Sequence, residues 1–210
     1  IRTSLFADRT IQDGQDVIAL DTPYRALDAA VVPIGIHAKI AQTPQRYIQT
    51  LYLIIEMNPS PVAAVFHFPG YRSWDTLSTR VRVNAYTDVR LIAETSDGGL
   101  YMTGNFVKAA GGCSAPSLKD PTAAEAQLGK MKLLLPDEFD PGNRLSARIL
   151  IKHPNNSGLQ FDQISRQFIP ANFVRTIKVT YNGDTLFTVD ADISISEDPS
   201  INFEFVPEDS

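Results

Sequence analysis

The sequence predicts an all-β protein made of two immunoglobulin-like antiparallel β-sandwich domains, joined by a flexible Gly-Gly-Cys arm and a short helix. Short apolar segments with a two-residue period recur along the chain, turn residues separate them, and no long segment has helical spacing. A length of 210 residues suits two domains, and 43% hydrophobic residues are enough for each to bury a core.

The first half has a regular series of strand segments separated by turns. Residues 76–83 alternate between two faces, one with Leu77, Thr79, Val81 and Val83 and the other with Ser78, Arg80 and Arg82. Ser96-Asp97-Gly98-Gly99 predicts a hairpin turn. The predicted strands are 17–20, 31–40, 47–56, 62–68, 76–83, 87–95 and 100–107. This pattern is typical of an antiparallel sandwich.

The second half repeats this kind of pattern after a short helix. Asp120-Pro121 predicts a helix start, and Gly129 is the expected stop. Asn182-Gly183 is a strong hairpin signal. The predicted strands are 131–135, 144–152, 173–181, 184–189, 193–195 and 201–206. We therefore expect a sandwich over residues 1–108, an arm and linker helix over 109–130, and a smaller sandwich over 131–210.

Cys113 is the only cysteine, and it lies in Ala109-Ala110-Gly111-Gly112-Cys113-Ser114-Ala115-Pro116, between the two halves. Gly111 and Gly112 give the backbone freedom on its N-terminal side, so we expect them to act as the hinge of a swinging arm. A single cysteine cannot form an internal disulfide, a tetrathiolate zinc site or an iron–sulfur cluster. The composition therefore predicts a thiol that is presented to another molecule.

Charge and composition exclude several classes of function. A net charge of −5 argues against a nucleic-acid partner, and no apolar run is long enough to span a membrane. The acidic segment 190–209 fits either a solvated edge or a docking surface for a basic partner. His37, His67 and His153 lie on separate segments without metal-ligand spacing, so we predict neither a metal site nor a cofactor.

Several blocks of sequence resemble a known pair of proteins. In the first half these blocks are Ala30–Ile34, Ile55–Ala63, Ser78–Arg82, Thr87–Arg90, Ser96–Met102 and Gly111–Cys113. In the second half they are His153-Pro154, Gly158, Ile169-Pro170, Tyr181–Gly183, Asp190, Ile195-Ser196 and Asp198-Pro199. Through these blocks the first half resembles SoxY, the sulfur-carrying subunit of the periplasmic thiosulfate-oxidising system, and the second half resembles its partner SoxZ.

The resemblance implies a fused SoxYZ-like carrier, as in the carriers associated with quinoprotein dehydrogenases. In that family the cysteine carries sulfur intermediates covalently between enzymes, which implies Cys113 as the attachment site and a periplasmic location. The family's arm ends in Gly-Gly-Cys-Gly-Gly, whereas Ser114 and Ala115 follow the cysteine here and the chain continues. The thiol therefore lies on a loop anchored at both ends.

Two other functions stay open from the sequence. The chain can be an immunoglobulin-like binding or assembly module whose cysteine is incidental or links a homodimer through a disulfide. It can also be a thiol-dependent enzyme with Cys113 as nucleophile. We favour the carrier, which has no active site of its own and meets its partner enzymes at the Cys113 arm.

Overall fold

The structure is a computed structural model that describes residues 5–116, 121–136, 138 and 142–207, and these are mostly β-strands. The first-half strands are β1 (Gln12–Asp13), β2 (Ile18–Asp21), β3 (Val32–Ala38), β4 (Ile48–Ile55), β5 (Val62–His67), β6 (Thr76–Val81), β7 (Thr87–Thr95) and β8 (Leu100–Val107). Those of the second half are β9 (Met131–Leu134), β10 (Leu145–Ile151), β11 (Phe161–Asp162), β12 (Gln167–Phe168), β13 (Thr176–Tyr181), β14 (Asp184–Ala191) and β15 (Ser200–Phe205). The predicted all-β class is confirmed.

The strands form two large sheets and one small hairpin. The larger sheet has the order β1-β8-β7-β4-β5-β14-β13, and the second has the order β2-β3-β6-β15-β10-β9. Strands β11 and β12 form a separate two-stranded hairpin. The strand pairs are antiparallel except β1–β8, which is parallel. Both large sheets therefore contain strands from each half of the chain.

The two halves join through hydrogen-bonded strands, which differs from the expected pair of separate sandwiches. Strand β14 pairs with β5, with Val189 opposite Phe66, and β15 pairs with β6, with Phe203 opposite Leu77. Joining edges in this way satisfies backbone groups that two isolated sandwiches would leave open. The predicted limits 1–108, 109–130 and 131–210 stay a prediction about sequence segments.

The main apolar core lies across the join between the halves. Phe68 stacks on Trp74 with ring centroids 4.7 Å apart, and both side chains are buried. Phe187 of the second half lies 5.9 Å from Phe68 and 4.9 Å from Phe203. One cluster of buried side chains includes all of these residues. Burial of this continuous core stabilises both halves together.

Local signals in the sequence account well for the strands and turns. Asn182 and Gly183 both have positive φ, +49° and +89°, as a two-residue hairpin turn requires. Leu77, Thr79 and Val81 are buried on one face of β6, as predicted. The expected strand 193–195 is instead a turn in which Ile195 makes only an isolated bridge to Val81.

A short helix, α1 (Pro121–Ala126), follows the cysteine-bearing segment. Gly129 has a φ of +77°, which fits the predicted helix stop. Asp120, the expected cap, lies outside the described residues. Among the helices of the described chain, none is long and apolar enough to cross a membrane.

Candidate functional site

The segment 109–116, called here the cysteine loop, follows β8 and is held by backbone hydrogen bonds. Gly111 N–H donates to the carbonyl of Asn84 at 2.9 Å, and Gly112 N–H donates to that of Val83 at 3.0 Å. The Val83 N–H in turn donates to the Ala29 carbonyl at 2.8 Å. The loop thus continues the hydrogen bonding just beyond the end of β6.

The two glycines have different roles in this geometry. Gly111 has a φ of +80°, and a Cβ atom there would meet nothing within 4 Å. A Cβ atom on Gly112 would lie 2.0 Å from the Ala29 carbonyl oxygen and 2.8 Å from the Val83 nitrogen. Gly112 is therefore required for close approach of two backbone segments, while Gly111 supplies the left-handed conformation of the turn.

Cys113 is completely buried, with 0% of its surface exposed. The prediction that the thiol is exposed on an open, swinging arm is therefore wrong for this conformation. The reason is that the loop has polar partners in the second half as well as in the first. Ser157 Oγ donates to the Cys113 carbonyl, and Gln160 Nε2 donates to the Ala115 carbonyl at 3.2 Å. These contacts hold the cysteine in a buried pocket between the halves, which we call the Cys113 seat.

Burial raises the pKa of the Cys113 thiol to about 11, and the positive charge of Arg82 opposes this shift. A raised thiol pKa favours the protonated form, which is a poor nucleophile. In the seat, Cys113 is therefore a protected thiol.

Sequence reasoning missed Arg82, a charged side chain that contacts the cysteine loop. It is only 2% exposed, although the period of its strand segment places it on the polar face. Nη1 donates to the Gly112 carbonyl at 3.2 Å, and Nη2 donates to the Asn155 carbonyl at 3.5 Å. Strand β6 ends at Val81, so the alternation no longer applies one residue later.

Two buried asparagines connect the halves around Arg82. Asn58 Nδ2 donates to the Arg82 carbonyl at 2.7 Å and to Ser194 Oγ at 2.8 Å. Asn155 Nδ2 donates to the Ile195 carbonyl at 3.2 Å within the second half, and the Asn155 carbonyl accepts from Arg82 of the first half. Because buried amides without partners are costly, these bonds fix the relative position of both sides of the seat.

The three histidines occupy separate places. His37 pairs with Asp21 at 2.8 Å and His67 with Asp190 at 3.1 Å, both on exposed strand surfaces. The Asn155 N–H donates to His153 Nδ1 at 3.0 Å, and burial lowers the pKa of His153. Among the described residues, no group of three potential ligands forms a metal site.

Lys108 and Lys119 lie on either side of the cysteine loop in the sequence, where a positive charge could favour a thiolate. Lys108 Nζ lies over the ring of Tyr24, 4.7 Å from its centroid. Lys119 falls outside the described residues.

An exposed apolar hairpin lies beside the seat. We call residues 159–168 the hydrophobic hairpin, because Phe161 and Phe168 pack edge to face at 5.5 Å while both remain exposed. Ile164, in the turn, is 95% exposed. Gln160 belongs to the same segment and bonds to the cysteine loop, so the hairpin adjoins Cys113. The sequence analysis missed this hairpin because its residues show no alternation.

Comparison with known proteins identifies both halves. Residues 2–113 match the family of sulfur oxidation protein SoxY, and residues 133–210 match that of sulphur oxidation protein SoxZ. No curated protein matches the chain significantly.

Solved structures give weaker likenesses. The sulfur carrier protein SoxY from Chlorobium limicola f thiosulfatophilum has 22% sequence identity, with a TM-score of 0.43, covering 51% of this chain and 87% of that one. The secreted serine protease VesC from Vibrio cholerae has 8% identity and a TM-score of 0.24, covering 93% of this chain and 48% of that one.

The SoxY match covers more than half of the chain and ends at Cys113, and the SoxZ match follows it in the same polypeptide. The chain therefore belongs to the SoxY family of sulfur-oxidation proteins, as a fused SoxYZ-like sulfur carrier.

Proposed function

We propose that Cys113 is the residue to which sulfur intermediates are covalently attached and on which they pass between partner enzymes. One observation carries this proposal: the only cysteine of the chain ends the SoxY segment and occupies a seat built from peptide and polar side-chain contacts. Cys113 does not belong to the main apolar cluster, so release of the cysteine loop would leave that cluster intact.

The carrier works in this proposal by alternating between a seated and a released loop. Release breaks the two glycine N–H bonds and the bonds from Arg82, Ser157 and Gln160. At about 1 kcal/mol for each hydrogen bond, the released state costs a few kcal/mol and is a minor population. Gly111 and Gly112 are the proposed hinge, since Gly111 already adopts a left-handed conformation.

Released Cys113 loses the desolvation that keeps it protonated, so thiolate forms more readily. The thiolate sulfur attacks a sulfur atom of a disulfide- or polythionate-type donor, the donor S–S bond breaks, and the leaving group takes the electron pair. Return to the seat then shields the new S–S bond from other thiols. The protein supplies attachment and shielding, and partner enzymes supply the further chemistry.

The hydrophobic hairpin is the surface on which we propose that a loading enzyme docks. Its apolar side chains form an exposed patch, and such patches mark interaction sites. Contact there also brings the partner to Gln160, whose bond to Ala115 helps to hold the loop. The partners are enzymes of a periplasmic thiosulfate-type or quinoprotein dehydrogenase-linked pathway.

The match to the two sulfur-oxidation families favours the carrier over the two alternatives. Burial of Cys113 does not separate the three functions, because each of them needs the loop to be released.

The test is intact mass measured without reductant after incubation with thiosulfate-oxidising enzymes and a sulfur donor. We expect adducts that reductant removes and that Cys113→Ser lacks. A wild-type chain that stays an unmodified thiol under all of these conditions would refute the carrier role.

Docking is tested separately with Ile164→Ser, which removes the most exposed apolar side chain of the hairpin. We expect slower enzymatic loading but unchanged reaction with a small chemical donor. Leu135→Ser, beyond the end of β9, is the matched control, because Leu135 is also exposed but lies on another edge. Equal slowing by both substitutions would contradict the proposed surface.

A further inference from the structure

Arg82 carries a buried positive charge whose described hydrogen bonds all go to backbone carbonyls. Its two terminal nitrogens contact the carbonyls of Gly112 and Asn155, and its Nε has no partner among the described residues. Nor does any carboxylate of those residues form an ion pair with it. A buried guanidinium normally pairs with an anion, because an uncompensated buried charge is costly.

The acidic groups nearby act on Arg82 only at longer range. Burial lowers the pKa of Arg82, whereas the charges of Glu197, Cys113 and Asp28 raise it. An arginine side chain nevertheless stays protonated in proteins. The chain therefore keeps a cation beside the cysteine loop even though the resting thiol is neutral.

We infer that Arg82 is the counter-ion for an anionic sulfur group carried on Cys113, of the thiosulfonate or persulfide class. This inference rests on the proposed carrier function. The free Nε–H and the terminal N–H groups are donors that match the oxygens of a thiosulfonate or the terminal sulfur of a persulfide. Addition of the anionic group completes a charge pair that the unloaded protein lacks. The seat therefore prefers the loaded carrier when its cargo is negatively charged.

The inference is tested on the full chain with two chemical adducts, prepared without any partner enzyme. With tetrathionate, the Cys113 thiolate attacks an inner sulfur, a Cys–S–S bond forms and thiosulfate leaves, which gives an anionic thiosulfonate. With methyl methanethiosulfonate, the thiolate attacks the methylthio sulfur and methanesulfinate leaves, which gives a neutral methyl disulfide. Urea unfolding without reductant then measures the stability of each adduct in wild type, Arg82→Lys and Arg82→Gln.

In wild type, we expect the protein with the anionic adduct to be more stable to urea unfolding than the protein with the neutral adduct. Arg82→Gln should reduce this preference by about tenfold in the unfolding equilibrium constant, equivalent to about 1.4 kcal/mol. Arg82→Lys keeps a positive charge and should keep part of the preference. Loss of backbone contacts lowers the stability of both adducts alike, so the comparison between adducts isolates the charge effect.

The inference is wrong if the preference is the same in wild type and Arg82→Gln, or if lysine and glutamine abolish it equally. Should Arg82→Gln fail to fold, wild type decides: an anionic adduct less stable than the neutral one overturns the inference. Partner loading is not needed for these measurements. A chain that loads from its enzymes but shows no Arg82-dependent preference refutes this inference alone, and the opposite result refutes the carrier function alone.

Discussion

The substitution Gly112→Ala tests the Cys113 seat most directly. The added Cβ would lie 2.0 Å from the Ala29 carbonyl oxygen, so that backbone must retreat by about 1.4 Å to reach a normal separation of about 3.4 Å. A movement of this size breaks the 3.0 Å bond from Gly112 N–H to Val83 and the 3.2 Å bond from Arg82. At about 1 kcal/mol each, we expect the seated loop to lose about 2 kcal/mol.

Destabilising the seated loop raises the reactivity of Cys113 by raising the population of the released loop. A loss of about 2 kcal/mol increases this population by about thirtyfold, since about 1.4 kcal/mol corresponds to a factor of ten. The released thiol is no longer desolvated by burial, which raises its pKa to about 11 in the seat, so the released population carries the reaction. We therefore expect reaction with an aromatic disulfide reagent such as DTNB to accelerate by about thirtyfold.

The control for this experiment is Gly70→Ala. Gly70 is also a loop glycine, but a Cβ atom there meets nothing within 4 Å. We expect wild-type reactivity in this variant. If Gly112→Ala reacts with DTNB at the wild-type rate and unfolds at the wild-type urea concentration, the seat does not hold the thiol as described.

Three further outcomes follow from the structure. Because the folded-state pKa of Cys113 is raised from 9.0 to about 11, its contribution to stability is complete below about pH 9 and lost as the pH rises to about 11. Between about pH 9 and pH 11, the free energy of unfolding measured in urea should fall by about 2–3 kcal/mol more in wild type than in Cys113→Ser. The same pH dependence in both proteins would contradict this prediction. Asn58→Ala should lower the free energy of unfolding by about 3 kcal/mol, because the Arg82 carbonyl and the Ser194 hydroxyl lose the Asn58 donor in a buried site. The control is Met57→Ala, since Met57 is exposed. Equal urea midpoints for the two variants would refute this role of Asn58. Gly183→Ala should lower the free energy of unfolding by about 1 kcal/mol, because alanine is strained at a φ of +89° while its Cβ would meet nothing within 4 Å. An unchanged thermal midpoint would be inconsistent with this turn.

The sequence was informative wherever structure depends on local periodicity and turn chemistry. Strands β7 and β8 have the predicted limits, since a clear alternation and a Gly-containing turn define them. Hairpin β11–β12 was missed because two-residue strands give no periodic signal.

Pairing between the halves lay beyond sequence reasoning for a different reason. Alternation along β5 and β6 specifies which faces are buried but not which strand lies alongside each edge. The contacts of β5 with β14 and of β6 with β15 join residues more than one hundred positions apart.

The sequence singles out Cys113 as the candidate residue, but it does not predict the environment of that residue. A solitary cysteine beside two glycines indicates a special thiol, and the family match ends at that residue. Its burial depends on Ser157 and Gln160, which lie over forty positions away in segments without a recognisable motif. Arg82 was placed on a polar face because periodicity does not show where a strand stops.

The shared sheets have a consequence for how the fused polypeptide assembles. Each half alone would present unpaired strand edges at β5 and β6, or at β14 and β15, together with one side of an apolar core. Fusion makes docking of these edges an intramolecular event and keeps the two parts in equal amounts. A backbone cut between the halves should therefore yield fragments that remain associated through these strands and the shared core.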